Sequence, residues 1–161
     1  MGRCEAALVA LMCVVALVPR RASAQVESRV QTGARLDMLA SAMTAIQAGA
    51  ELSAAASTNV RLGLTLAAGE SSMHGRTGVS ARAELVGRFL LDPDFRMRWA
   101  PYAGAGLGIR YDRIANWRGT VIAVVGVEGP NWGGVVPFVE GGFGGGVRFG
   151  VGLRATRRAG R

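Results

Sequence analysis

Apolar residues alternate with small or charged residues along the stretch Arg98–Arg110. Its odd positions include Trp99, Leu107 and Ile109, while its even positions from residue 104 onward are glycines and Arg110. A two-residue period places successive side chains on opposite faces of an extended chain, so the pattern predicts a β-strand with one apolar face.

The same pattern returns 36 residues later, where Pro137–Gly144 aligns with Pro101–Gly108. Two strands and their turns would fill such an interval, which favours an up-and-down antiparallel barrel. Alternation along the rest of the chain gives eight strands. They cover Val30–Met38, Ala48–Ala54, Val60–Ala68, Val79–Phe89, Arg98–Arg110, Trp117–Val127, Val135–Phe143 and Val147–Ala155.

Turn residues separate these strands. Proline, glycine and aspartate predict turns at Asp92-Pro93-Asp94, Gly129–Gly134 and Gly144–Gly146. The segment Gly69–Arg76 is polar and is predicted to be a loop. Leu36–Ala56 is ambiguous: its apolar residues fit a strand pair, but they also fit a helical stripe. The strand pair is favoured because a lone helix would lack a packing partner in a β protein.

The N-terminus has the features of an export signal. A basic start at Arg3 precedes the apolar run Ala6–Val18, and Ala22-Ser23-Ala24 is a small-x-small cleavage motif. We therefore expect residues 1–24 to be removed and residues 25–161 to form one domain. Cys4 and Cys13 both lie in the segment to be removed, so no disulfide framework is expected.

The chain is strongly basic, with a formal charge of +8, and all 19 basic residues are arginine. A basic balance is typical of nucleic-acid binding when the charges cluster. In residues 25–161 the arginines are spread singly through alternating stretches, apart from Arg157-Arg158 near the end. We therefore expect no nucleic-acid partner.

Alternation does not by itself decide which face points outward. A lipocalin-like soluble barrel would turn its apolar face inward around an apolar ligand, whereas a membrane barrel turns that face toward lipid. Aromatic residues near the predicted strand ends favour the membrane barrel, because they form belts at both interfaces. Those at one end are Phe89, Phe95, Trp99 and Trp132, and those at the other are Tyr111, Trp117, Phe143 and Phe149.

From Val30 to Arg154, the chain resembles the small eight-stranded outer-membrane β-barrel proteins. The resemblance rests on the export signal, the alternation, the aromatic strand ends and the related segments Pro101–Gly108 and Pro137–Gly144. It implies an all-β, up-and-down transmembrane barrel in the outer membrane, contacting lipid and placed there by the insertion machinery. We expect a monomer with no enzymatic activity and no cofactor.

Candidate chemistry is sparse. Gly104-Ala105-Gly106-Leu107-Gly108 resembles a nucleotide-binding loop, but its glycines alternate within a strand and no helix is predicted after them. His74 is the only histidine and lies a few residues from Glu70 and Ser71. Catalytic triads converge from separate elements, so these neighbours do not predict a catalytic site. No cluster of metal ligands is predicted.

The charged residues on the polar face of the strands form the main candidate functional site. Its charged residues predict a network in the lumen, either a salt-bridged plug or a narrow anion-preferring path. The plug is favoured because side chains just fill an eight-stranded barrel. The network proper comprises Arg61, Arg82, Glu84, Arg88, Arg110, Arg118, Glu128, Glu140, Arg148 and Arg154; Arg35, Asp37, Glu51 and Arg98 lie on the same face.

The closing hairpin allows a register to be predicted. Opposed residues must share a face, so a three-residue loop at Gly144–Gly146 would pair Phe143 with Val147. This register places Glu140 opposite Gly150 and brings Arg148 within diagonal reach of Glu140. We expect these two residues to pair, with Glu128 and Arg118 extending the network.

Overall fold

The computed structural model describes residues 30–92, 98–113 and 116–156 as eight antiparallel strands that close into one barrel. The fold is therefore the predicted all-β, up-and-down barrel. The strands are β1 (Gln31–Ala40), β2 (Thr44–Ala55), β3 (Val60–Met73), β4 (Arg76–Leu90), β5 (Ala100–Asp112), β6 (Asn116–Glu128), β7 (Val135–Gly144) and β8 (Val147–Thr156).

Each strand pairs with its neighbours in sequence, and β1 pairs with β8 to complete the wall. Closure removes the free strand edges that an open sheet would expose. Within the described residues, no helix is long and apolar enough to cross a membrane.

The ambiguous segment Leu36–Ala56 forms the β1–β2 hairpin, in which Leu36 pairs with Ala48 and Met38 with Ile46. The favoured strand pair is confirmed. Leu36 and Met38 point outward, whereas Leu39 is buried inside the barrel. The apparent helical stripe therefore combined residues from both faces of a strand.

The predicted loop at Gly69–Arg76 is wrong. β3 continues to Met73, β4 begins at Arg76, and only His74 and Gly75 form the turn. Both turn residues have positive φ angles, 49° and 76°, as a two-residue hairpin turn that matches strand twist requires. The polar residues had indicated a loop, but they continue the strand pairing beyond the apolar band.

The predicted register of the closing hairpin is confirmed. Phe143 pairs with Val147, and Glu140 lies opposite Gly150. The amide of Gly144 donates a hydrogen bond of 2.9 Å to the carbonyl oxygen of Gly146. Gly145 and Gly146 both have positive φ angles, which glycine adopts without a steric penalty.

The apolar face of the strands points outward and the polar face points into the lumen. Leu64 and Val121 expose 45% and 75% of their surface, whereas Arg35 and Glu140 expose 4% and 0%. A lipocalin-like barrel would show the opposite arrangement, with an apolar lining around its ligand. That alternative does not fit the described strands.

The two ends of the barrel differ in their connections. The terminal end holds the first residue of β1 and the last residue of β8, together with the β2–β3, β4–β5 and β6–β7 connections. The far end holds the other four turns, each two or three residues long. The predicted turn residues Pro93 and Asp94 lie outside the described residues, whereas Gly133 and Gly134 adopt positive φ angles in the β6–β7 turn.

Aromatic side chains lie near both ends. Phe89, Trp99 and Trp132 are exposed toward the terminal end, and Trp117, Phe143 and Phe149 are exposed toward the far end. Tyr111 pairs with Trp117, and their ring centroids are 5.1 Å apart. Phe95 lies outside the described residues. Two separated groups of outward aromatics match the interface belts of a membrane barrel.

One part of the wall is incomplete at the far end. β6 pairs with β5 along its full length, but it pairs with β7 only from Ile122 to Glu128. Residues 116–121 of β6 therefore extend past the β7–β8 turn with no strand on that side among the described residues. We refer to this opening in the wall, beside residues 116–121, as the notch.

Candidate functional site in the lumen

The lumen is lined by charged side chains from all eight strands. Seven arginines and six carboxylates project into it, and nearly all are buried. The arginines are Arg35, Arg61, Arg82, Arg88, Arg110, Arg148 and Arg154; the carboxylates are Asp37, Glu51, Glu84, Asp112, Glu128 and Glu140. Side chains along a β-strand point alternately to its two faces, and all of these residues occupy positions on the inner face.

Glu140 on β7 is the most connected carboxylate at the centre of the lumen. One carboxylate oxygen accepts hydrogen bonds from Arg35, at 2.9 Å, and from Arg148. The other accepts the hydroxyl of Tyr102 at 3.0 Å and lies 3.4 Å from Nε of Arg88. Glu140 thus links β7 to β1, β4, β5 and β8 across the lumen.

Glu51 on β2 is the second centre. Arg88 donates two hydrogen bonds of 2.9 Å to its two oxygens, which is the bidentate geometry that favours arginine. Arg154 donates to the same carboxylate at 3.0 Å and Arg35 at 3.2 Å. Arg35 and Arg88 each contact both Glu51 and Glu140, so the two centres form one network.

The network continues toward the terminal end through Glu128. Arg154 donates a hydrogen bond of 2.6 Å to this carboxylate, and Arg61 lies 3.3 Å from it. The guanidinium of Arg154 also lies 3.9 Å from the ring centroid of Phe138, a distance suited to a cation–π contact. This end of the lumen is therefore filled by both ion pairs and aromatic rings.

Toward the far end, Asp37 and Glu84 are each shared between two arginines. Asp37 accepts hydrogen bonds from Arg35, at 2.7 and 2.8 Å, and from Arg82. Glu84 accepts one from Arg148 at 2.7 Å and lies 3.4 Å from Nε of Arg82. Val86, Ile122 and Val124 form a small apolar cluster against the same part of the lumen.

Two predicted lumen residues lie elsewhere. Arg98 precedes the first residue of β5 and is exposed. Arg118 is also exposed, because it lies beside the notch, four residues beyond the last β6 residue that pairs with β7. Arg118 therefore does not extend the network of Glu140 and Arg148, and Glu128 pairs with Arg154 and Arg61 instead.

Sequence reasoning also missed several lumen residues, among them Tyr102, Phe138 and Asp112. Tyr102 and Phe138 face inward and expose only 2% of their surface each. Asp112, the last residue of β5, lies 2.6 Å from Nε of Arg110 at the far end. Strand parity was the available signal, because all three positions are even, like their neighbours Gly104, Glu140 and Arg110.

The charged side chains of the lumen are arranged as ion pairs. The arrangement cross-links opposite walls by ion pairs, with basic and acidic groups almost in balance. His74 lies at the far β3–β4 turn and is exposed. Among the described residues, no group of three or more histidine, cysteine or acidic side chains could hold a metal ion.

No protein-family model and no curated protein matches the chain. Solved structures do. The crystal structure of the N-terminal β-barrel domain of Pseudomonas aeruginosa OprF matches with a TM-score of 0.58 and 16% identity, covering 81% of this chain and 98% of that domain. The solution NMR structure of the de novo designed protein TMB2.3 matches with a TM-score of 0.50 and 18% identity, covering 86% of this chain and all of the design. The chain thus has the fold of the small eight-stranded outer-membrane β-barrels.

Proposed function

We propose that this protein is a non-enzymatic barrel of the bacterial outer membrane, with a structural or surface-interaction role and a lumen closed by its arginine–carboxylate network. The observation that carries the proposal is the set of contacts made by Glu140. Hydrogen bonds join it to Arg35, Arg148 and Tyr102, so its carboxylate bridges strands that face one another across the barrel. Side chains fill the interior of an eight-stranded barrel, and ion pairs fix them in place.

The proposed location rests on the outer surface and the N-terminal segment together. The outward apolar face and two aromatic groups suit a bilayer, and the expected removal of residues 1–24 would accompany export. In this proposal the folded domain is a monomer that contacts outer-membrane lipid and reaches the membrane through the insertion machinery.

A narrow anion-preferring path is the second candidate, and the composition of the lumen weighs against it. Such a path needs an excess of basic side chains along its length. Arg98 and Arg118 are exposed, whereas Asp112 lies inside, so seven arginines face six carboxylates. Nearly all of these charges are already paired.

Conductance in planar bilayers tests the plug. Protein refolded in detergent is inserted into a bilayer, and its folded state is checked by the change in gel mobility on heating. We expect no measurable current from the wild type. A Glu51→Ala/Glu140→Ala variant, which removes both network centres, should show anion-preferring leakage because the arginines would remain. Steady single-channel currents from the wild type would refute the plug and favour the anion path.

Fractionation tests the location separately. The proposed barrel should sediment with outer membrane and stay there after a wash in high salt, because its apolar face is buried in lipid. Recovery in the soluble periplasmic fraction would contradict the membrane assignment whatever the conductance result.

A further inference from the structure

Three arginines form a row across neighbouring strands at the far end of the barrel. Arg82 on β4 pairs directly with Arg110 on β5, and Arg110 pairs directly with Arg118 on β6. Directly opposed residues share a face and have Cβ atoms about 5 Å apart. Like charges in this position repel each other, so an isolated row of this kind destabilises the sheet.

Few carboxylates are available to offset this row. Asp112 lies 2.6 Å from Nε of Arg110 and neutralises one of the three charges. Asp37 and Glu84 also contact Arg82, but they are shared with Arg35 and Arg148 respectively. Arg118 has no carboxylate partner in the part of the chain that the structure describes.

Two of the arginines also present buried donors that are unused. Nη1 of Arg82 and Nη2 of Arg110 have no hydrogen-bond partner among the described residues, although these residues expose only 5% and 6% of their surface. A buried donor without an acceptor costs free energy, most of all on a charged group. The row therefore combines excess positive charge with donors that need an acceptor.

The notch exposes one end of this row, at Arg118. Arg118 lies on the exposed part of β6, and a side chain added at the neighbouring Gly119 would meet nothing within 4 Å. Trp117 lies on the part of β6 beside the notch and pairs with Tyr111 on β5, and such residues lie at the level of lipid headgroups in membrane barrels. The row thus runs from the headgroup level, at Arg118, to a buried position at Arg82.

We infer that Arg82, Arg110 and Arg118 form a binding site for a phosphate group, open to the outside through the notch. Phosphate oxygens accept paired hydrogen bonds from guanidinium groups, and their negative charge would offset the repulsion within the row. The group could come from free phosphate or from the headgroup of an anionic lipid. This site deepens the proposed surface-interaction role and rests on the barrel being embedded in a membrane.

Unfolding in micelles of an uncharged maltoside detergent tests the site with inorganic phosphate as the probe. We expect phosphate to raise the urea midpoint of the wild type saturably, compared with chloride at equal ionic strength. Arg110→Gln and Arg118→Gln should each weaken the apparent affinity by about tenfold, because each removes a charged donor pair. Arg76→Gln is the matched control, since Arg76 is an exposed arginine at the same end and outside the row.

The variants also separate binding from general stability. Without phosphate, Arg118→Gln should be at least as stable as the wild type, because one repulsive contact is removed. If Arg110→Gln fails to fold, the exposed Arg118→Gln still decides the question. An equal phosphate effect in all variants, or no effect beyond that of chloride, would overturn the site.

A second arm identifies the source of the phosphate group. The same proteins are refolded in phosphatidylcholine vesicles with and without phosphatidic acid. Stabilisation by phosphatidic acid that Arg118→Gln abolishes identifies a lipid headgroup, whereas an effect of inorganic phosphate alone identifies a soluble anion. Phosphate binding in micelles does not depend on closure of the lumen, so its failure is distinct from a failure of the conductance or fractionation tests.

Discussion

Glu140 shows how one residue can join elements that are distant in sequence. Its carboxylate is fully buried and is surrounded by Arg35, Arg88, Arg148 and Tyr102. A buried charge is tolerated when its partners satisfy it, and removing it leaves those partners uncompensated. The main cost of losing Glu140 is therefore that Arg35, Arg88 and Arg148 would be left in the lumen with less negative charge to offset them.

Glu140→Gln keeps the size of the side chain but removes its charge. We expect it to lower the free energy of unfolding in bilayers by about 3–5 kcal/mol, the usual cost of breaking a buried ion pair from one side. Urea unfolding followed by tryptophan fluorescence measures this loss. Glu70→Gln is the control, because Glu70 is exposed on β3 and should change stability by about 0.5 kcal/mol or less. Equal stability of Glu140→Gln and the wild type would show that the network does not stabilise the barrel.

The position of His74 in the β3–β4 turn is explained by its backbone conformation. Its φ of 49° lies in the left-handed region, where asparagine is strongly preferred in two-residue hairpin turns. His74→Asn should therefore leave the urea midpoint unchanged or raise it slightly, whereas His74→Val should cost about 1–2 kcal/mol, because a side chain with a branched Cβ clashes there. A clear loss of stability in His74→Asn would indicate a contact of the imidazole that the turn geometry does not require.

At the scale of the strand, two-residue alternation made the fold predictable. Parity placed Leu64 outside and Arg82 inside, and it also set the register of the β7–β8 hairpin. Strand length was less predictable. Polar residues at Gly69–Arg76 indicated a loop, but two strands continue there, because a strand outside the apolar band needs no apolar face.

Leu64→Arg tests the outward face of β3. Leu64 pairs with Leu52 and Leu85 in the middle of the apolar band, where an arginine costs about 2–4 kcal/mol in a bilayer. Val79→Arg is the matched control, because Val79 is equally outward but lies toward the far end, where the cost falls to about 0–1 kcal/mol. Urea unfolding in vesicles measures both. Equal effects of the two substitutions would mean that the apolar band does not lie in a bilayer.

Candidate site residues were less predictable than strands. Odd or even position along a strand tells which face a side chain points to, but not whether the barrel wall encloses it at that height. Arg118 has the inward parity of Arg110, but the wall beside it is incomplete, so it is exposed. Apart from Glu140 and Arg148, whose pairing followed from the register of the β7–β8 hairpin, the partners in the ion pairs were also beyond the sequence. Arg35 contacts residues on β2 and β7 because the pairing of β1 with β8 brings β7 within reach of β1, and no local pattern records that geometry.

At the scale of the whole molecule, the lumen behaves as a second interior that is polar instead of apolar. Its ion pairs are shielded from solvent, with most side chains only 0–3% exposed. Dissolved salt screens buried pairs much less than exposed ones. The stability of the barrel should therefore depend little on ionic strength.

Raising sodium chloride from about 0.05 M to 1 M tests this expectation. The urea midpoint in vesicles of uncharged net composition should stay nearly constant, because the ion pairs around Glu51 and Glu140, away from the notch, are buried. Glu51→Ala serves as the comparison, because unpaired arginines in a wetter lumen should make its midpoint sensitive to salt. A large shift in the wild type would mean that solvent ions enter the lumen.

The long sequence separation of the lumen contacts has a consequence for assembly. Arg35 and Glu140 are 105 residues apart, so they meet only when the last strands join the first. Until that moment, a sheet lying in lipid would carry charges with no partners, which is expensive in an apolar medium. Partly assembled sheets are therefore penalised, and closure relieves the penalty in one step. Assembly of this barrel should be close to all-or-none, with the circle of strands completed before or during its passage into the membrane.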